Sequence, residues 1–431
     1  MAFDDDYQIR RFPAAAPDEP GYQQAVEWIR AVNHGFHSPK RSVEQINTSL
    51  AIRVKDGHQH TAVYQLGQPA EYSFDRERPI ATFGSLVKEL NIGFGKMLPT
   101  LLVTAVTVRS THRRRGILSR MMSENLLRAK RDGLALAALT ASEGGIYRRF
   151  GFGVATKERS VTVDVGPRFQ LSQELPGRVE AVPRQALVEL APKIFAPWHR
   201  SQPGSIDRLE GYRYLAAGMG AWRNEEDENV LSALHYDAEG QPDGYVSYKF
   251  LGWDTQPTAV EVIDLVAATD QAYLELWQHL AAIDLIEQIR WQQAPAEDPL
   301  EWALSDRRCL SVSAEKDMLW LRILDVVQAL EAREYPADGE LCLEVSDPLQ
   351  LTSGIFQLLV VRGKAKVSVV DHAEKPDVSL DIADLSSLYL GGVPASILCA
   401  AGRISEHRSG AVELAQRLFA VERPPFCASH F

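Results

Sequence analysis

Four arginines, Arg109, Arg113, Arg114 and Arg115, crowd the stretch RSTHRRRGIL in a chain whose formal net charge is −11. Such a cluster can touch nucleic acid, hold one small anionic ligand, or simply solvate a helix end. Its neighbours narrow the choice. A β-branched apolar run, Leu101 to Val108, precedes it, and apolar residues at helical spacing follow it: Ile117 with Met121, and Leu118 with Met122 and Leu126. This order predicts a strand, a tight loop and a helix start. The first amides of a helix have no partner within the helix, and its dipole is positive there, so the loop can hold anionic oxygens through its backbone.

Other residues invite chemistry less strongly. The turn SEGGIYRRFGFG, Ser142 to Gly153, carries a phenol at Tyr147, either a proton donor or one more aromatic packed beside Phe150 and Phe152. His58 and His60 in DGHQHT suggest a metal, but beside a glycine they read as a solvated turn, and no metal is expected. Cys427 and His430 resemble parts of a nucleophilic pair without a third partner, so the thiol reads as packed. The acidic run Glu225 to Glu228 reads as an exposed loop.

The elements that must position these groups follow from the patterning. YQQAVEWIRAVNHGF is amphipathic at helical spacing, TAVYQL and ATFGSLVKEL read as strands, and LALAALTA, Leu134 to Ala141, reads as a strand buried on both faces. Strand, arginine loop, helix and strand together predict a right-handed crossover between parallel strands. ERSVTVDV then closes a first domain, residues 1–165. A second, 166–302, holds the strands GYVSYKFLGW and AVEVIDLVAA and the helix QAYLELWQHLAAIDLI. A strand-rich third, 303–431, begins near LWLRILDVVQALEARE. The predicted class is α/β in three domains, in keeping with 431 residues and roughly 100 to 200 residues per domain.

Composition removes several functions. The chain is 45% hydrophobic and 24% charged, with a mean hydropathy of −0.18, as in globular proteins. A pI near 5.6 argues against a nucleic-acid partner, whose binding face extends well beyond one basic turn. The acidic start MAFDDDYQIRRF lacks a secretory leader, and no run of about 18 apolar residues predicts a membrane span, so a cytoplasmic protein is expected. The four cysteines form no CxxC pair and read as reduced thiols.

Val106-Thr107-Val108 followed by RSTHRRRGIL resembles the acetyl-CoA motif of the GNAT acetyltransferases, with Arg113 and Gly116 at pattern positions. Leu118 departs from the superfamily pattern. With SEGGIYRRFGFG, the longer match VTVRSTHRRRGIL is similar to a narrower group, the enhanced intracellular survival acetyltransferases, in which leucine is normal there. The resemblance implies a GNAT domain, a second GNAT-like domain without the motif, and a sterol-carrier-like domain. It implies that acetyl-CoA is held by Val106, Thr107 and Val108, by Arg114, Arg115, Gly116, Ile117, Leu118 and Ser119, and by Ser142 and Glu143. It implies Tyr147 as proton donor and the C-terminal carboxylate, here that of Phe431, as proton acceptor. The acceptor is implied to be an amine-bearing small molecule, polyamine-like or an aminoglycoside, or a lysine amine, and the assembly a homo-hexamer. A non-catalytic carrier of an apolar ligand is the alternative.

Overall fold

The computed structural model describes residues 3–68, 70–173, 175–220, 226–370 and 375–431. Strand Met97–Val108 runs parallel to strand Leu136–Thr140, and helix Ile117–Arg131 crosses between them, as the patterning predicts. The helix buries Ile117, Met121, Met122, Leu126 and Ala129, the apolar face seen in the sequence, and its last turn carries Arg128, Lys130 and Arg131 where the dipole favours cations.

This pair sits inside a seven-stranded sheet in the order Tyr7–Pro13, Gln59–Gln65, Ala81–Asn91, Met97–Val108, Leu136–Thr140, Leu319–Ile323 and Gly153–Val154. A second seven-stranded sheet runs Leu310–Asp317, Lys157–Asp164, Gln288–Pro295, Ala259–Ala267, Pro242–Phe250, Leu231–Tyr236 and Arg178–Val182. It repeats the central feature of the first, a parallel pair between Ala259–Ala267 and Gln288–Pro295. The third sheet, Lys364–Val370, Gly354–Val361, Gly339–Ser346, Val378–Asp381 and Ile404–Glu406, is covered by helices.

Three stretches differ from the sequence expectation. ERSVTVDV leaves the first sheet and pairs inside the second, between Gln288–Pro295 and Leu310–Asp317. Residues 310–323, expected in the third domain, complete the first two sheets. Leu319–Ile323 is buried on both faces, as a central strand must be, and only then does helix Val326–Ala332 begin, capped by Asp325. His58 and His60 are not solvated: both are buried, and His60 lies in a strand, stacked on Trp28 with ring centroids 3.9 Å apart. Among the described residues no group of three or more His, Cys, Asp or Glu side chains could hold a metal ion. No helix there is long and apolar enough to cross a membrane. Glu225 lies outside the described residues; Glu226 pairs with Arg184 at 2.7 Å.

The third unit is clamped onto the first. Helix Ile382–Tyr389 is buried along its whole length and backs onto Gly153, where an added Cβ would lie 1.9 Å from the Ala383 carbonyl oxygen. Arg148 forms two hydrogen bonds with Asp384, at 2.9 and 2.7 Å, and the fully buried Arg322 pairs with Asp347 at 2.6 Å. The turn bearing Tyr147 is therefore held from behind by a domain that starts more than a hundred residues later.

Candidate active site

The parallel pairing of Met97–Val108 with Leu136–Thr140 extends only from Thr100 opposite Leu136 to Val103 opposite Leu139. Beyond Val103 the strands part. On the other side of the parting strand, the ladder with Ala81–Asn91 is interrupted between Thr82 and Gly84, so Ala105 and Val106 have no partner residue. Ala105 takes a positive φ of 51°. A bulge of this kind bends the strand and takes backbone groups out of the ladder, and here the Ala105 carbonyl accepts instead from the Thr82 hydroxyl at 2.8 Å. Thr107 is fixed inward, its hydroxyl bonded to that of Thr82 at 2.7 Å, and Val108 rejoins the ladder opposite Ala81.

At one end of the gap lies the arginine loop. Arg114 and Gly116 have φ of 62° and 78°, which turns the chain sharply into the helix, and no side chain caps the helix start. The first amides of the helix have no partner within it, so the turn forms a backbone cradle able to hold anionic oxygens. The four arginines divide in role. Arg109 bonds the Pro79 carbonyl at 3.2 Å and lies over Phe74, and Arg115 donates to the Tyr7 hydroxyl at 3.2 Å. Arg113 and Arg114 are exposed beside the cradle.

At the other end is a cavity of about 860 Å³. Val106, Ser142, Tyr147 and Phe431 all line it; Arg114 to Ser119 do not, and Glu143 stands exposed at the start of the short helix Gly144–Tyr147. Tyr147 is 7% exposed and meets Phe152 edge-on. Burial, and then the charge of Glu143, push its phenol above the ordinary value, so it keeps its proton throughout the neutral range.

The chain end reaches this cavity by a docked path. Gln202 holds the Pro424 carbonyl at 2.8 Å, Phe426 donates to the Pro203 carbonyl at 2.8 Å, and Arg208 bonds the Ala428 carbonyl at 3.3 Å. Arg208 is itself buried against Asp264 and Tyr245. The Tyr212 hydroxyl accepts from the His430 amide at 2.5 Å and donates to the His430 carbonyl at 3.2 Å. A terminal oxygen of Phe431 then accepts from the Thr140 hydroxyl at 3.0 Å, at the point where the strands part. Cys427 is buried in this path, and burial pushes its thiol up to about 11, so it is a packed thiol and not a nucleophile.

Acids that the sequence around the terminus does not show also enter the wall: Glu158, Asp227, Glu261 and Asp317 line the cavity, opposed by Lys249, Lys316 and Arg53. They come from the second sheet and its flanks, each more than a hundred residues from the terminus, which is why local spacing could not reveal them. His58 also lines the cavity, and burial and Arg53 keep it neutral.

Comparison with known proteins agrees with this layout. The GNAT acetyltransferase domain matches twice, over residues 23–155 and 207–323, and a sterol carrier protein domain matches 326–428. An uncharacterized N-acetyltransferase of Streptomyces avermitilis is 33% identical over the full length of both chains. The N-acetyltransferase Eis of Mycobacterium tuberculosis is 35% identical over 347 residues, which is 78% of this chain and 81% of that one. Among solved structures, Eis1 of Mycobacterium abscessus superposes with a TM-score of 0.81 at 26% identity, covering 98% of this chain and 100% of that one.

Proposed function

This chain belongs to the Eis family of GNAT N-acetyltransferases and uses acetyl-CoA as its acyl donor, and from that premise we propose that it acetylates a primary amine of a small polycationic molecule, polyamine-like or an aminoglycoside, or a lysine amine, by direct attack in a ternary complex. The observation that carries the proposal is the meeting of Tyr147 and the Phe431 carboxylate in one cavity at the parting of two parallel strands. Holding donor and acceptor together there turns a bimolecular encounter into an oriented one.

Val106 to Val108 and the amides of residues 114–119, with Ser142 and Glu143 opposite, hold the donor. When bound, the donor supplies an activated acetyl group and a thiolate leaving group. Val106, freed from the ladder by the bulge, offers its amide to the developing oxyanion. Tyr147 keeps a proton for the departing sulfur, and the Phe431 carboxylate receives one from the amine. Three acids of the cavity wall, Asp227, Glu261 and Asp317, suit a substrate with further ammonium groups. The family resemblance extends the proposal to a homo-hexamer in the cytoplasm, which sedimentation of the purified chain tests.

The test is release of coenzyme thiol from acetyl-CoA with a panel of amines. Wild type should turn over at least one of them, and Tyr147→Phe should lose about 100-fold or more in kcat with little change in KM for acetyl-CoA. No release with any amine would overturn the proposal and favour the carrier alternative.

A further inference from the structure

The cavity wall holds one more proton-transfer pair. Glu158 is buried, its side chain 2% exposed, and its two oxygens are engaged separately: Oε2 with Nε2 of His430 at 3.0 Å, and Oε1 with Nζ of Lys316 at 3.1 Å. An ionised carboxylate can only accept, so Nε2 carries the hydrogen, and in the neutral ring Nδ1 bears the lone pair. Burial raises the Glu158 carboxyl, but His430 and Lys316 outweigh it and hold the group below the ordinary range, so it remains ionised at neutral pH. The His430 side chain is 39% exposed and lines the cavity together with Tyr147 and Phe431. Nδ1 has no protein partner among the described residues, while both backbone groups of His430 are fixed by Tyr212.

We propose that His430 is a catalytic base of this site, oriented by Glu158, and that its Nδ1 takes the first of the two protons an ammonium substrate must lose. The inference rests on the acetyltransferase function proposed above. An aliphatic ammonium, with a pKa near 10, cannot attack until one proton has left, and its nitrogen sheds a second as the amide forms. A terminal carboxylate with an ordinary pKa near 3.5 is poorly matched to the first task. An imidazole, ordinarily near 6.5, is a better match, because base catalysis improves as the pKa nears the working pH.

The proton and electron accounts close. His430 Nδ1 accepts one proton, and the nitrogen lone pair forms the C–N bond to the acetyl carbonyl carbon. The C–S bond breaks with its electron pair on sulfur, which takes the Tyr147 proton. The Phe431 carboxylate receives the second nitrogen proton, which returns through solvent to the tyrosinate, and His430 releases its proton to water. Ammonium and thioester have become amide, thiol and one proton. The titratable groups around the imidazole are Glu158, Lys316, Tyr212, the Phe431 carboxylate and the buried Cys427, with Asp317 on the same cavity wall.

Two readouts test the assignment, both on the full-length chain. In the first, carbon-labelled histidine is followed by NMR without substrates, the His430 resonance being the one absent in His430→Gln. Lys316→Met should move its titration midpoint up, since the Glu158 charge is no longer shared, and Glu158→Gln should move it down. A midpoint that ignores both substitutions overturns the pairing. In the second, kcat/KM for an amine is measured against pH in wild type and in His430→Gln, and their ratio cancels the titration of the substrate itself. The ratio should approach 100-fold at pH 8 and fall toward one below the imidazole midpoint, with KM for acetyl-CoA unchanged. A wild type that turns over with a ratio flat in pH or below threefold overturns the role of His430 alone. A wild type that releases no thiol from any amine overturns the proposed function, and this inference with it.

Discussion

The last two residues are held by the buried Tyr212 hydroxyl together with Thr140 and Glu158, and Tyr212→Phe removes the first of these. The substitution deletes the acceptor of the His430 amide and the donor to the His430 carbonyl, while the bonds that hold Pro424, Phe426 and Ala428 remain. Two hydrogen bonds at about 0.5–1.5 kcal/mol each amount to about 1–3 kcal/mol. Because chain ends open locally, this loss falls on the docking of residues 430 and 431, which Thr140 and Glu158 still hold. The docking equilibrium constant should drop about 5- to 150-fold, and the docked fraction that presents the carboxylate by up to that much. Thiol release measured at saturating amine reads this as a fall in kcat of up to that order, with KM for acetyl-CoA within twofold of wild type because the arginine loop is untouched. Tyr389→Phe is the matched control: its buried hydroxyl donates to the Ala329 carbonyl at 2.8 Å, far from the cavity. An unchanged kcat in Tyr212→Phe, or an equal loss in Tyr389→Phe, refutes the reasoning.

Two further outcomes follow from other parts of the molecule. Gly116→Ala meets no neighbour within 4 Å, so its cost is the positive φ alone, about 1–2 kcal/mol; titration with acetyl-CoA should show affinity about 5- to 30-fold weaker, and kcat at saturation should hold. Burial pushes the Asp298 carboxyl up to about 6, against bonds from the Leu300 amide and the Tyr273 hydroxyl that favour its ionised form. Because the folded pKa lies above the unfolded one, the folded chain binds more protons between about pH 4 and 6, and stability falls as pH rises through that window. Asp298→Asn keeps an acceptor oxygen for both bonds and removes the charge, so its urea midpoint should gain on wild type from pH 4 to 6, by up to about 3 kcal/mol in unfolding free energy; parallel midpoints across the window would contradict this.

The crossover around the arginine loop was legible because its signals are local: a β-branched run, a cluster of arginines ending in Gly116, and an i, i+4 stripe. The bulge at Ala105 and Val106 was not, since alanine and valine are ordinary strand residues and the break arises from the opposing register. Nor was the border of the third unit, because Leu319–Ile323 crosses back to the first sheet for a burial that only the complete sheet provides. His58 and His60 misled for the same reason: a glycine turn predicts exposure, and Trp28 and the neighbouring strands supply the cover. The pairing of Glu158 with His430 spans 272 positions and has no local signal at all.

A carboxylate supplied by the chain terminus exists only if translation stops at Phe431, and this makes one residue too many as informative as one too few. Adding a single glycine turns the Phe431 carboxylate into an amide, yet the amide oxygen still accepts from Thr140, and every anchor from Pro424 to His430 is retained. Docking therefore survives while the charge moves one residue outward. Proton transfer by a positioned group is worth about 10²–10⁴-fold, and the extended chain should lose at least the lower figure in kcat with acetyl-CoA affinity intact. Its remaining activity should still fall at acid pH, because His430 keeps its place beside Glu158. Adding the glycine to His430→Gln should then leave only the titration of the substrate amine, which the ratio of the two extended chains cancels, and a ratio flat in pH would show that His430 does not set the limb.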